Sequence, residues 1–278
     1  MNDVFGLVPI FSSRTGSVMT YANWLDVGIK ASSFYLSSLL MKPTFDFLTT
    51  LNNLESYVHW TETLILNASL PNKNIDGKYL LQSEYDGQRI EVSPLQVLEL
   101  IEKLAPDIVI LPEGLWTQHR ERCEALPSTM SLYLPAKEWL MDVSTTRPLG
   151  VYFSDTLTVL EQLQQFKQQS CYVFGDIDLT LMMACMKAGA NIIETDRPMR
   201  DAGNGLVYRR EGILSLSLDS ETMRFEPIDR GCMCPICKQQ LTRAYLHHII
   251  KETPTLGVRF LAQHNAYYFQ TTCCRVGK

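Results

Sequence analysis

The 278-residue chain contains no apolar run near the roughly 18 residues that a membrane span needs. Its stretch Val4 to Ile10 follows Asp3 with no basic flank, which makes a poor signal peptide, so the expected compartment is the cytoplasm. Eight cysteines are present, but they lack the regular pairs of a disulfide framework, which excludes a stapled secreted scaffold. There is no internal repeat and no low-complexity tract, which removes solenoids and disordered polar tails from consideration. An overall excess of base is also missing: the formal net charge is −5, which by itself argues against nucleic acid as a partner.

What is present is ordinary globular material, 46% hydrophobic and 20% charged, enough for one large α/β domain with an appended module. The charge is unevenly placed. Residues 1–196 hold 13 Lys+Arg against 23 Asp+Glu, whereas residues 197–278 hold 12 against 7. A basic C-terminal third on an acidic body suits an RNA backbone, and it equally suits a chance cluster of solvated charges.

From Gly87 onward, short β-rich runs alternate with amphipathic helical runs, the pattern of parallel βα units. Ser93 reads as a helix N-cap with Pro94 first in the helix and Gln96 as reciprocal partner, the helix running to Leu104. Ile108 to Leu111 reads as a strand buried on both faces, delivering Glu113 in a Pro-Glu-Gly turn. Leu149 to Phe153 and Tyr172 to Phe174 read as further strands, leading to Asp155 and Asp176. A helix over Asp178 to Lys187 ends at Gly189, and a strand Asn191 to Ile193 presents Glu194 and Asp196. Carboxylates thus gather beyond four successive strand ends, where parallel α/β barrels hold their sites, although Asp155 and Asp176 are better explained as helix caps. Beyond Gly205 the expectation is a hairpin with Ile213 to Leu218 on one arm, Met223 and Phe225 on the other, and a turn at Asp219 to Glu221. Residues 1–86 are less regular: Thr15-Gly16-Ser17 suggests a turn, and Ser32 to Leu40 suits helix or strand alike.

Cys232-x-Cys234-x-x-Cys237 packs three thiols into six residues, close enough for one turn to aim them at a tetrahedral ion. A helix starting at Thr253-Pro254 places Leu256, Phe260, His264 and Tyr268 on one face, so His264 can supply the fourth ligand, with His247 and His248 as competitors. Four protein ligands leave no open position, so a single zinc here would hold the fold together without activating water.

Asp229-Arg-Gly-Cys-Met-Cys-Pro-Ile-Cys237, Arg243-Ala-Tyr-Leu-His-His248 and His264-Asn265 together resemble the tRNA-guanine transglycosylase (queuine tRNA-ribosyltransferase) family. The order and spacing match with one extra residue before Arg243. Tyr172-Val-Phe-Gly-Asp-Ile-Asp178 through Lys187-Ala-Gly-Ala-Asn191-Ile-Ile-Glu194-Thr-Asp196 is similar to the family's penultimate barrel strand, helix and nucleophile strand. The agreement covers roughly residues 147–268. The resemblance implies an α/β protein with a (β/α)8 TIM-type barrel over residues 1–225, irregular over 1–86, and a zinc module with C-terminal helix over 226–278. Between Glu113 and Arg147 the chain is short, so one βα unit is expected to be reduced; Trp116 through Trp139 is then a candidate special surface.

The resemblance also implies exchange of guanine for queuine, or its precursor, at the wobble position of tRNA. In catalytic members an aspartate attacks the ribose C1′ carbon and a second aspartate handles protons. Here the nucleophile position is Glu194, Asn191 stands in place of the usual preceding acid, and the Asp-Ser-Gly-Gly and Gln-Gly-Gly segments are absent. Glutamate moves the carboxylate by more than the ~1 Å that costs about a hundredfold in an aligned reaction. These departures are similar to the family's non-catalytic accessory subunit, as are Arg14-Thr-Gly-Ser17 and Arg147-Pro-Leu-Gly150. The expectation is therefore an accessory subunit that binds a catalytic transglycosylase, or a second copy of itself, and tRNA. Arg243, Lys251, Arg259, Lys238 and Arg275 are its candidate phosphate contacts. Two alternatives stand beside it: a self-sufficient base-exchange enzyme using Glu194 or Asp196, with Glu113 as the second acid, and a zinc-stabilised scaffold with no tRNA role. Cys273 and Cys274 have no assigned part.

Overall fold

The computed structural model describes residues 6–71, 76–140, 145 and 147–276. Its strands, in chain order, are β1 Gly6–Val8, β2 Ala31–Tyr35, β3 Thr63–Asn67, β4 Tyr79–Gln82, β5 Arg89–Val92, β6 Ile108–Ile110, β7 Ser131–Pro135, β8 Leu149–Phe153, β9 Cys171–Phe174, β10 Ile192–Glu194, β11 Leu206–Arg209 and β12 Gly212–Ser215. Eight of them form one sheet in the order β1-β10-β9-β8-β7-β6-β3-β2, each neighbouring pair parallel. The two edges meet just past β1, where Phe11 N donates to Ser33 O at 2.8 Å and Ser33 N donates to Pro9 O at 2.9 Å. The result is the expected TIM-type barrel, nearly closed, with helices between its strands. Hairpins β4–β5 and β11–β12 stand outside the ring.

Alternation along each strand decides which residues fill the barrel. Val8, Ala31, Ile65, Ile108, Ile110, Tyr133, Tyr152, Tyr172 and Ile192 pack together inside it. Their neighbours Leu7, Leu66, Val109, Leu132, Val151, Val173 and Ile193 face the surrounding helices. Gly150 belongs to the inner set because Tyr133 needs its space: a Cβ there would meet the Tyr133 ring at 2.3 Å. Gly150→Ala is therefore expected to cost about 1–3 kcal/mol by overpacking. A control, Gly203→Ala, meets only Thr15 Cγ2 at 3.7 Å. Thermal unfolding of the two variants checks this; equal melting temperatures would contradict the packing argument.

The reduced unit lies where the sequence is short. Strand β7 is present, and the helix after it is the reduced part, the single turn Ala136–Trp139. Arg147 anchors the preceding loop by donating to the carbonyls of Leu126 (2.7 Å), Pro127 (2.7 Å) and Met130 (2.6 Å). Trp116 is 3% exposed and belongs to the core, not to a special surface.

Explicit capping chemistry sets the helix ends. Ser93 and Gln96 form the capping box of helix Pro94–Leu104, and Asp178 caps helix Leu179–Ala188, which ends at Gly189 in a left-handed conformation. Ser32 to Leu40 divides into β2 and the turn of helix Leu36–Leu39. The expected hairpin is displaced: β11 pairs with β12 around Arg210-Glu211, whereas Met223–Phe225 does not pair with residues 213–218. The carbonyls of Arg224, within that segment, and of Glu226 just after it instead accept bonds from the backbone N–H groups of Ala244 and Arg243. Val207 and Tyr208 are deeply buried while Ile213 is 58% exposed, so the better core strand is the earlier one.

Helix Pro254–Val276 ties the C-terminal third to the barrel. Gln270 Oε1 accepts from Leu7 N of β1 at 2.8 Å. Asn265 accepts from Tyr208 N and donates to the carbonyls of Pro198 and Leu206 at 3.0 and 2.9 Å. No helix among the described residues is long and apolar enough to cross a membrane.

Candidate metal centre and barrel mouth

Cys234 begins the short helix Pro235–Lys238, and its Sγ accepts from Cys237 N at 3.2 Å, while Cys232 Sγ accepts from Cys234 N at 3.4 Å. These N–H···S bonds suit thiolates. His264, fully buried in the long helix, brings Nδ1 to 3.8, 3.3 and 3.5 Å from the sulfurs of Cys232, Cys234 and Cys237. All four donor atoms lie within 4.8 Å of one another. Four such donors around a tetrahedral zinc with bonds of about 2.0–2.3 Å stand about 3.5–3.8 Å apart, so the cluster can hold a metal ion of that kind. The other imidazole nitrogen, Nε2, hydrogen-bonds Tyr208 O at 2.7 Å, which fixes the tautomer with Nδ1 free to ligate. His247 is outside the cluster, its Nδ1 bonded to Leu216 O at 2.7 Å, and His248 is exposed.

At the C-terminal end of β10, Glu194 points into the barrel and is fully buried. Its Oε1 accepts from the Tyr35 hydroxyl at 2.8 Å and from Asn67 Nδ2 at 2.9 Å; its Oε2 accepts from the Tyr172 hydroxyl at 2.6 Å. The three donors come from the ends of β2 and β3 and from β9. Burial pushes the carboxyl above its ordinary value, and the dipoles of Ser33, Tyr172, Tyr35 and Asn67 draw it part of the way back. Tyr35 is also pushed up, by burial first and then by the Glu194 charge. Both carboxylate oxygens accept hydrogen bonds, and the side chain has no exposed surface.

Residues 149–278 match the model of the family described as queuine tRNA-ribosyltransferase. Among known proteins, a queuine tRNA-ribosyltransferase of Fusobacterium nucleatum is 20% identical over 311 residues, spanning 94% of this chain and 83% of its own. One of Ruegeria pomeroyi is 23% identical over 84% of this chain and 74% of its own, and one of Clostridium perfringens is 32% identical over 32% of this chain and 23% of its own.

Residues 149–278 carry the tRNA-guanine transglycosylase family's pattern. Against that family's chemistry the remaining sequence-derived residues fall into clear places. Asp196 has left the strand and sits half-buried before helix Arg197–Gly203, where Thr15 Oγ1 donates to its Oδ2 at 3.4 Å. It does not share the inward face of Glu194, because β10 ends at Glu194 and Thr195 turns to bond Ile177. Glu113 is half-exposed and ion-paired with Lys137. Asp155 caps the turn at Leu157 and Thr158, while Asp176 pairs with Arg197 and Arg200 in place of capping a helix.

Most of the candidate RNA contacts are already occupied. Arg243 is held by Glu221 at 2.6 and 2.7 Å and by Glu226 at 3.0 Å, with its side chain only 12% exposed. Lys251 pairs with Asp219 at 3.0 Å, and Arg259 Nε donates to Val18 O at 2.8 Å. Lys238 and Arg275 remain exposed. The donors that surround Glu194 went unmarked in the sequence, although Tyr35 and Asn67 each stand on the inward register of their strands, two residues beyond Ser33 and Ile65.

Proposed function

We propose that this chain is a non-catalytic accessory subunit of a tRNA-guanine transglycosylase, working in the cytoplasm beside a catalytic subunit that exchanges guanine for queuine at the wobble position. The observation that supports it is the enclosure of Glu194. The residue in the nucleophile register is fully buried, and Tyr35, Asn67 and Tyr172 occupy both of its oxygens. A glycosyl nucleophile needs an open oxygen aligned on the anomeric carbon. Glu194 instead serves as the polar keystone of the barrel mouth, holding β2, β3, β9 and β10 together.

In this reading Cys232, Cys234, Cys237 and His264 hold one structural zinc. The ion would supply cross-linking of the Cys232–Cys237 turn to the long helix, and the four residues leave it no position for water. The surface beyond the barrel then serves partner and tRNA. One observation favours a second reading, a self-sufficient exchange enzyme: Asp196 carries the correct side chain at the barrel rim, only partly buried. Among the described residues its side-chain hydrogen bond comes from Thr15 and brings no second acid, and a base-exchange reaction needs one group for covalent attack and another for protons.

Native mass spectrometry of the purified chain, alone and mixed with a catalytic transglycosylase, tests the proposal. The accessory reading expects a one-to-one complex with the catalytic chain. A chain that forms only homo-oligomers and leaves the catalytic partner unbound would overturn it.

A further inference from the structure

A cleft of about 880 Å³ lies on the C-terminal side of β1 and β2 and is lined by hydroxyls, aromatic rings and two cations. A cleft of about 310 Å³ sits among Glu55, Glu62 and Asp107, at the starts of β3 and β6, where barrels of this kind do not place ligands. Tyr35 forms part of the larger cleft's wall while its hydroxyl bonds Glu194, so the keystone lies behind this wall and outside the cleft.

Arg14 enters from the loop after β1 and Lys42 from the segment after β2; both are exposed, and among the described residues neither has an acidic partner. Ser37 and Ser38 line the surface between them. Tyr57, 46% exposed, and Tyr85, 71% exposed, stand at the rim. Lys42 Nζ lies 5.4 Å from the centre of the Tyr85 ring, and Tyr57 stacks edgewise on Phe47 at 5.4 Å. Glu84 is the one acid among the described lining residues. Exposed phenol rings beside unpaired cations and hydroxyls are the chemistry that binds single-stranded nucleic acid: bases stack on the rings, and phosphates meet the cations and hydroxyls.

Resting on the accessory reading, we propose that this cleft holds a single-stranded segment of RNA, with Arg14 and Lys42 on phosphates and Tyr85 and Tyr57 under bases. The inference departs from the sequence expectation that the basic C-terminal third carries the RNA. Three of the cations named there already have partners within the protein, whereas among the described residues Arg14 and Lys42 have no acidic partner.

The test is fluorescence anisotropy of the full-length chain with a fluorescein-labelled nine-nucleotide RNA, single-stranded or annealed to its complement, over a salt series. The single strand is expected to bind more tightly than the duplex. Arg14→Glu/Lys42→Glu should weaken binding at least tenfold, and losing two phosphate contacts should flatten the log–log salt slope by about 1.4, at about 0.7 per contact for single strands. Tyr85→Ala should weaken binding about fivefold or more without changing the slope. Lys238→Glu/Arg275→Glu should change nothing. These are surface positions, so unchanged melting temperatures accompany the expected result. Loss of binding only in the Lys238/Arg275 variant would move the RNA to the C-terminal module and overturn the proposal, as would no binding at all or indifference to Tyr85. Capture of a catalytic transglycosylase, measured with the same variants, separates the two readings. Capture retained while RNA binding ignores the cleft leaves the accessory role standing and the cleft assignment wrong. Capture lost in the Arg14/Lys42 variant with RNA binding intact makes the cleft a protein-docking surface and overturns the proposal as well.

Discussion

Cys237→Ser is expected to lower stability more than any other single change considered, with His264→Ala close behind. Cys237 and His264 are 2% and 0% exposed, and the imidazole links the cysteine turn to the long helix and, through Nε2, to Tyr208 of β11. That helix in turn holds β1 through Gln270 and helix Arg197–Gly203 through Asn265. Structural zinc contributes about 10–16 kcal/mol of apparent binding free energy in isolated finger peptides at pH 7. A larger fold shares that load, so about 5 kcal/mol is the expected loss here, comparable to the whole stability of a marginal domain at about 5–15 kcal/mol. The melting temperature should then fall by about 10–20 °C. Circular dichroism melts with and without a strong chelator, together with a colorimetric zinc-release assay, check this. One zinc per chain and a chelator-sensitive melt are expected; a metal-free chain that melts like the untreated one would remove zinc from the account.

Glu194→Ala should cost about 3–5 kcal/mol, because it strands two phenol hydroxyls and an amide in a closed interior. Glu194→Gln should be nearly neutral. Its Oε1 can accept from Tyr35 and Asn67 as before, and its Nε2 can donate to the Tyr172 hydroxyl oxygen. The two variants also separate by pH. Folding raises the Glu194 carboxyl above its ordinary 4.5, chiefly through burial. A group raised in this way stabilises the fold fully below its unfolded value and loses that contribution as pH rises through its folded value. The native chain should therefore lose stability relative to Glu194→Gln as pH increases from 4.5 upward. Urea unfolding across that range measures the difference; a constant gap, or one that narrows with rising pH, would contradict the burial argument.

The barrel was legible from residue 87 onward because β-rich and helical runs are punctuated there by explicit capping chemistry, as at Ser93, Asp178 and Gly189. The N-terminal part was less so. β2 is written as Ala-Ser-Ser-Phe-Tyr, with Ser32 and Ser33 fully buried, so its hydrophobic pattern is weak. The metal cluster was legible because three cysteines in six residues restrict geometry strongly. Bringing His264 to the three thiols needed only a helical period. The partners of Glu194 were not legible, since Tyr35, Asn67 and Tyr172 lie 159, 127 and 22 residues away and meet only when the ring closes. Charge counting likewise overstated the C-terminal third, because Arg243 and Lys251 are spent on Glu221, Glu226 and Asp219 within the same third.

The most direct test of the central claim is denaturing electrophoresis of this chain mixed with a tRNA bearing a guanine wobble base and a trapping base analogue, with and without a catalytic transglycosylase. The account predicts no shifted band from this chain in either mixture and a covalent adduct on the catalytic chain alone. A shifted band from this chain by itself, lost in Glu194→Gln or Asp196→Asn, would make it an enzyme and contradict the enclosed-carboxylate account.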